Sequence, residues 1–106
     1  MCAQRRRVAT DTAAVQVKGE IDLSNADQLV GIADNLDRAT VIILDMSGVS
    51  FLGAAGLTAL LRLAARSSLT GRHLILTGTD HGPVRRPIVI CGLDSVLDCR
   101  SEKSSS

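Results

Sequence analysis

The sequence predicts an α/β fold, a mixed sheet covered by helices, on three observations. Segments with the two-residue period of strands alternate with segments of helical period along the chain. The run from Val41 to Leu44 is continuous and β-branched-rich, as in a central strand covered on both faces by parallel crossovers. A 106-residue chain with a 45% apolar share is long enough to bury one core. Phe51 is its only aromatic residue, so Leu, Val, Ile and Ala must fill the interior.

In chain order, Val8 to Thr12 is expected to form a short edge strand ending in a turn near Asp11 and Thr12. Residues 1–7 precede it as a flexible arm, with Arg5, Arg6 and Arg7 solvated. Val15, Val17 and Ile21 alternate with Gln16 and Lys18 as in a half-buried strand, and Gly19 marks a bend or bulge within it. Ser24 followed by Asp27 resembles a capping box opening the first helix. Ala26, Leu29, Val30, Ala33 and Leu36 form its apolar stripe, with Arg38 in its last turn.

The second helix is expected from Gly53, with Leu57, Leu60, Leu61, Ala64 and Ala65 inward and Thr58, Arg62 and Arg66 outward; Gly71 stops it. His73 to Thr77 is the next strand, and Gly78 to Asp80 turns it toward a third helix near Pro83. Pro87 crowds the carbonyl four residues earlier, so a distorted or late-starting helix is expected, ended by Gly92. Leu93 to Leu97 adds a last short apolar element. The domain then spans 8–100, with 101–106 a disordered tail.

Several function classes are disfavoured. A net charge of +1 and a single aromatic argue against nucleic-acid binding and against direct membrane attachment. No apolar run reaches membrane-span length, and the N-terminal residues do not resemble a signal peptide, so a cytoplasmic protein is expected. Cys2, Cys91 and Cys99 lack metal spacing with His73 and His81, so neither metal nor cofactor is expected. Cys91 and Cys99 flank a short segment; they are a candidate redox pair, against the plainer reading of buried thiols. Neither histidine stands in a recognisable catalytic pattern, so no enzyme is expected.

The segment with most functional content runs from Asp45 to Leu57. A buried strand feeds a short polar turn that opens onto a long helix, whose N-terminus suits an anion or a modified side chain. Yet Gly53, Ala54, Ala55 and Gly56 carry no reactive atom.

Gly19 to Asp22 before Leu23 to Ala26, Val41 to Leu52 before Gly56 and Leu57, Gly71 to Leu76, and Gly92 to Asp94 together resemble a STAS domain of the anti-sigma-factor-antagonist kind. The likeness covers roughly residues 8 to 99. It implies a mixed sheet of four to five strands with helices packed largely on one face. It also implies a partner switch: the antagonist binds a serine-kinase anti-sigma factor and frees a sigma factor, until the kinase phosphorylates a Ser or Thr at the start of the second helix. The family commonly has Asp-Ser-Ser-Gly or Asp-Ser-Thr-Gly there. In this chain Ala55 occupies the phosphoacceptor position and Gly53 replaces the Asp.

The implied contact surface is Ser47, Ser50, Phe51 and Leu52 in the turn, then Gly53, Ala54, Ala55, Gly56 and Thr58 on the helix, with Arg62 at the edge. Small residues there permit close backbone approach. One reading is an antagonist locked in the unmodified state; another is a diverged domain that has lost kinase binding. Ser50 and Thr58 are candidate relocated phosphoacceptors, against the plainer reading of Thr58 as a solvent-facing helix residue. A scaffold or accessory subunit of a signalling or transporter complex is the alternative function. The oligomeric state stays open, with a monomer as the default.

Overall fold

The computed structural model describes residues 2–31 and 39–100. Five strands form one sheet in sequence order: β1 (Cys2–Arg7), β2 (Thr12–Ile21), β3 (Val41–Leu52), β4 (His73–Thr77) and β5 (Cys99–Arg100). The hairpin pair β1 and β2 is antiparallel, and every later pair is parallel. Helices α1 (Ala26–Gly31), α2 (Ala54–Leu69) and α3 (Gly82–Ile90) lie in the crossovers. All crossovers step the same way across the sheet, so right-handed connections bring their helices to one face.

That face is the core. Val15, Val17 and Ile21 of β2, Ile42, Leu44 and Met46 of β3, and Leu76 of β4 meet Leu29, Leu60, Leu63 and Ile88 from the helices. On the opposite face Ala14, Gln16, Val41 and Ile43 are half-buried, so β3 is not covered by helices on both sides. The β-branched run at 41–44 reflects a central, twice-paired strand; Ile43 is flanked by Ala14 and Ile75 instead.

The residues read as a flexible arm form β1, and the edge strand expected at Val8 to Thr12 is the hairpin turn. The domain therefore begins before residue 8. A polar, arginine-rich strand paired on one side has no apolar period to betray it, and such residues suit an exposed edge. Ala33, Leu36, Arg38 and the tail at 101–106 lie outside the described residues.

Three helical expectations are corrected. The capping box does not form: the Asp22 carboxylate accepts from Ser24 N (3.0 Å) and Ser24 Oγ (2.6 Å), and Asn25 Oδ1 accepts from Asp22 N. Asp and Asn satisfy turn amides as readily as Ser does. The buried stripe of α2 is Gly56, Leu57, Ala59, Leu60, Leu63 and Ser67, rotated from the expected one, with Leu61 and Ala64 at its margin and Ala65 exposed. Gly56 fits where only a missing side chain can, and Ser67 is buried because its Oγ donates to the Leu63 carbonyl at 2.8 Å. Helix α3 does not start late: it begins at Gly82 and contains Pro87. The bond Pro87 forgoes would have ended on Pro83, in the first turn, where one loss is tolerable. Strand β5 escaped notice because two residues carry no period.

Candidate functional site

Strand β3 builds the site. Up to Met46 its residues alternate, one buried and one not; beyond it the buried residues are Val49 and Leu52, three apart. Two register shifts against β2 explain the change, one between Gln16 and Lys18 and one between Gly19 and Glu20. At each, β3 carries an extra residue, which bends the strand and turns side chains outward. Gly19, at φ 93°, stands at the second, as expected. Ser47, Gly48, Ser50 and Phe51 are exposed in consequence. The segment read as a turn is bulged strand as far as Leu52.

Gly53 closes the strand by donating its N–H to the Ile21 carbonyl (3.0 Å), and its own carbonyl accepts from Leu57 N (3.0 Å) to start α2. It caps the helix without a side-chain hydrogen bond, and the first turn holds no acidic residue. Ala54 is exposed, Ala55 half-buried with its methyl against the core, and Gly56 buried. A Cβ on Gly56 would lie 2.6 Å from Leu52 Cδ1 and 2.9 Å from Ile21 Cγ2, so the helix start sits directly on the strand ends.

Two apolar shoulders flank this pole. On the β2 side Leu23 is 86% exposed, on a loop held by the Asp22, Ser24 and Asn25 bonds and by Asn25 Nδ2 donating to the Glu20 carbonyl (2.9 Å). The Ser24 hydroxyl holds the Asp22 carboxyl below its usual range. On the other side Phe51 (49% exposed) and Ile90 (75%) border a shallow groove between β3 and α3. His81 Nε2 donates to the Val49 carbonyl at 2.8 Å and pins the start of α3 there. Leu23, His81 and Ile90 were missed in the sequence, because single exposed apolar residues and turn histidines give no local signal.

The sequence-predicted residues are thus largely brought together: Ser47, Ser50, Phe51 and Leu52 end β3, and Gly53 to Thr58 begin α2, with Thr58 exposed. Arg62 is not among them. It stands two turns further along α2, reaching Asp27 of α1 at 3.9 Å in a highly exposed pair of little energetic worth.

The remaining candidates lie elsewhere. All three cysteines are free; Cys91 is exposed at the end of α3, against the reading of two buried thiols. Burial pushes the Cys99 thiol up, away from the thiolate that disulfide exchange requires, which counts against a redox pair. His73 Nε2 lies 2.6 Å from Asp98 Oδ2, and Arg100 also engages that carboxylate. Arg100 first, then His73, holds Asp98 below its usual range, fastening β5 to the sheet edge. Among the described residues no helix is long and apolar enough to cross a membrane.

A sheet in unbroken sequence order, three helices on one face and a bulged central strand leading into a bare helix start define a STAS domain. Residues 4–105 match the STAS domain, and the chain belongs to that family. It is similar to the anti-sigma-F factor antagonist RsfB of Mycobacterium tuberculosis, 39% identical over 91 residues that cover 80% of this chain and 70% of RsfB. It is also similar to the crystal structure of an anti-sigma factor antagonist from Mycobacterium paratuberculosis, with 28% identity, TM-score 0.72, and coverage of 92% of this chain and 83% of that one. The fold is shared with unphosphorylated SpoIIAA of Bacillus, at TM-score 0.77 and 20% identity, over 98% of this chain and 92% of that one.

Proposed function

We propose that this protein is a cytoplasmic anti-sigma-factor antagonist, a binding module and not an enzyme. It docks on a serine-kinase anti-sigma factor through the pole formed by the end of β3 and the start of α2, and so releases a sigma factor. Phosphorylation at the helix start does not control it. One observation carries the reading: Ala54, Ala55 and Gly56 leave the first turn of α2 without side-chain cap, acid or hydroxyl, between exposed Leu23 and Phe51. A surface of backbone and methyl groups permits close approach by a partner. A phosphate there would add roughly −1.5 to −2 charges and a hydrated bulk that a tight interface rejects. Ala55 removes the acceptor, so the complex persists in the presence of ATP.

The test uses the kinase-type anti-sigma factors of the source organism. With kinase and ATP, the native chain should keep its mass and its complex, whereas Ala55→Ser should gain one phosphate and dissociate. Ala55→Glu should weaken binding at least tenfold, about 1.4 kcal/mol. Stoichiometric phosphate on Ser50 or Thr58 of the native chain would overturn the absence of control. Unchanged affinity of Ala55→Glu would show that the surface is misplaced.

A further inference from the structure

Helix α3 has one face in the core and a second face, apolar but for Arg86, outside it. Val84 and Ile88 are buried against the sheet. Pro83, Arg86, Pro87 and Ile90 recur at the i, i+3, i+4, i+7 spacing of a second face. That face looks onto the end of β3, and with Ser50, Phe51 and Leu52 it encloses a groove of about 510 Å³. The walls are mostly apolar and open to solvent, with Ile90 75% and Phe51 49% exposed. The groove does not depend on a loose helix, because the His81 bond to the Val49 carbonyl ties α3 to β3.

The charge in this groove has one sign. Arg86 is the only charged residue lining it; Arg85 stands beside it on the outer face of α3, where a neighbouring depression is also lined by Asp80. Both guanidinium groups are without an ion-pair partner among the described residues, unlike Arg62 and Arg100. An unpaired, planar, permanently charged fork at the rim of an apolar groove is suited to a carboxylate. The apolar walls are suited to a nonpolar side chain next to it.

We infer that this groove receives an apolar segment of the anti-sigma factor whose carboxylate pairs with Arg86, extending the docking surface from α2 to α3. The inference rests on the proposed function, with which the groove shares Ser50, Phe51 and Leu52. Arg86 acts there as a specificity residue. It selects among anti-sigma factors by the acid they present, and it speeds encounter through long-range attraction. The contact is at a rim, so it is sensitive to salt.

The experiment measures affinity of the full chain for each purified kinase-type anti-sigma factor of the source organism, at low and high salt. Native protein, Arg86→Glu, Arg86→Lys and Ala55→Glu are compared. Arg86→Glu should weaken binding about tenfold and flatten the salt dependence, with Arg86→Lys between it and the native chain. Reversing one acidic residue of the partner to Lys should restore the Arg86→Glu complex. Thermal unfolding of Arg86→Glu should match the native chain, since the side chain is exposed and unpaired.

If Ala55→Glu weakens the complex while Arg86→Glu leaves affinity and salt dependence unchanged, the groove is not a contact and the α2 docking surface stands. If the native chain binds none of these factors, the docking surface and the groove fall together. A change in the sedimentation of the chain alone with Arg86→Glu would assign the groove to a second copy and overturn the inference.

Discussion

The two ends of α2 are built on opposite terms. At the C-terminal end, backbone and side-chain caps are both present. Thr70 N donates to Arg66 and Ser67, Gly71 N to Ser68, and Arg72 N to Ser67 at 2.7 Å, while Thr70 Oγ1 also donates to the Arg66 and Ser67 carbonyls. This is the paired-bond ending that a left-handed residue permits, with Gly71 at φ 75° and Arg66 favourably placed against the dipole. At the N-terminal end there is a glycine cap without a side-chain bond, no acid, and then Ala54, Ala55 and Gly56. A glycine cap gives up only about a few tenths of a kcal/mol against a side-chain cap, so the bare end forgoes a little of the stability that the other end takes up. The difference teaches where the molecule is finished and where it is left open. Polar side chains close the C-terminal end, and the end proposed to dock keeps only backbone and methyl groups.

Substitutions at three glycines break or sharpen this contrast. The largest effect is expected at Gly56. An added methyl meets Leu52 and Ile21 below 3.0 Å, so Gly56→Ala should lower stability by about 1–3 kcal/mol in denaturant unfolding. A loss below a few tenths would mean that the helix start is not seated on the strand ends. Next is Gly71→Ala, which has open space around it but must hold a positive φ. It should cost about 1–2 kcal/mol, all of it conformational. The smallest is Gly53→Asp, at φ −84°, where an aspartate supplies the missing cap and only the half-exposed Phe51 ring, 3.2 Å from the new Cβ, must give way. A gain of about half a kcal/mol in thermal unfolding is expected, lost as the pH falls through the cap carboxylate's titration. A loss there instead would show that Phe51 is held rigidly.

How far the site was legible depends on how local its causes are. The start of α2, its stop at Gly71 and the alternation of β2 are set by neighbours in sequence, and reading residue by residue found them. Ser47 to Leu52 was read as a turn but is strand, because a bulged strand spaces its buried residues by three and so imitates irregular chain. The stripe on α2 was rotated because Gly56 and Ser67 do not look like core residues until their contacts are seen.

By itself, the sequence determined the α/β class, the order of central strands and helices, the family likeness and the absence of a hydroxyl at position 55. Those follow from residue identity and from periods that repeat within a few residues. Only the tertiary structure decided the rest: the pairing of the arginine-rich β1, the two bulges that expose the end of β3, and the groove that His81 sets between β3 and α3. Each joins residues far apart in the chain, and such pairings leave no period in either partner. The blank helix start was written in the sequence, but the surfaces that flank it exist only once the sheet is assembled.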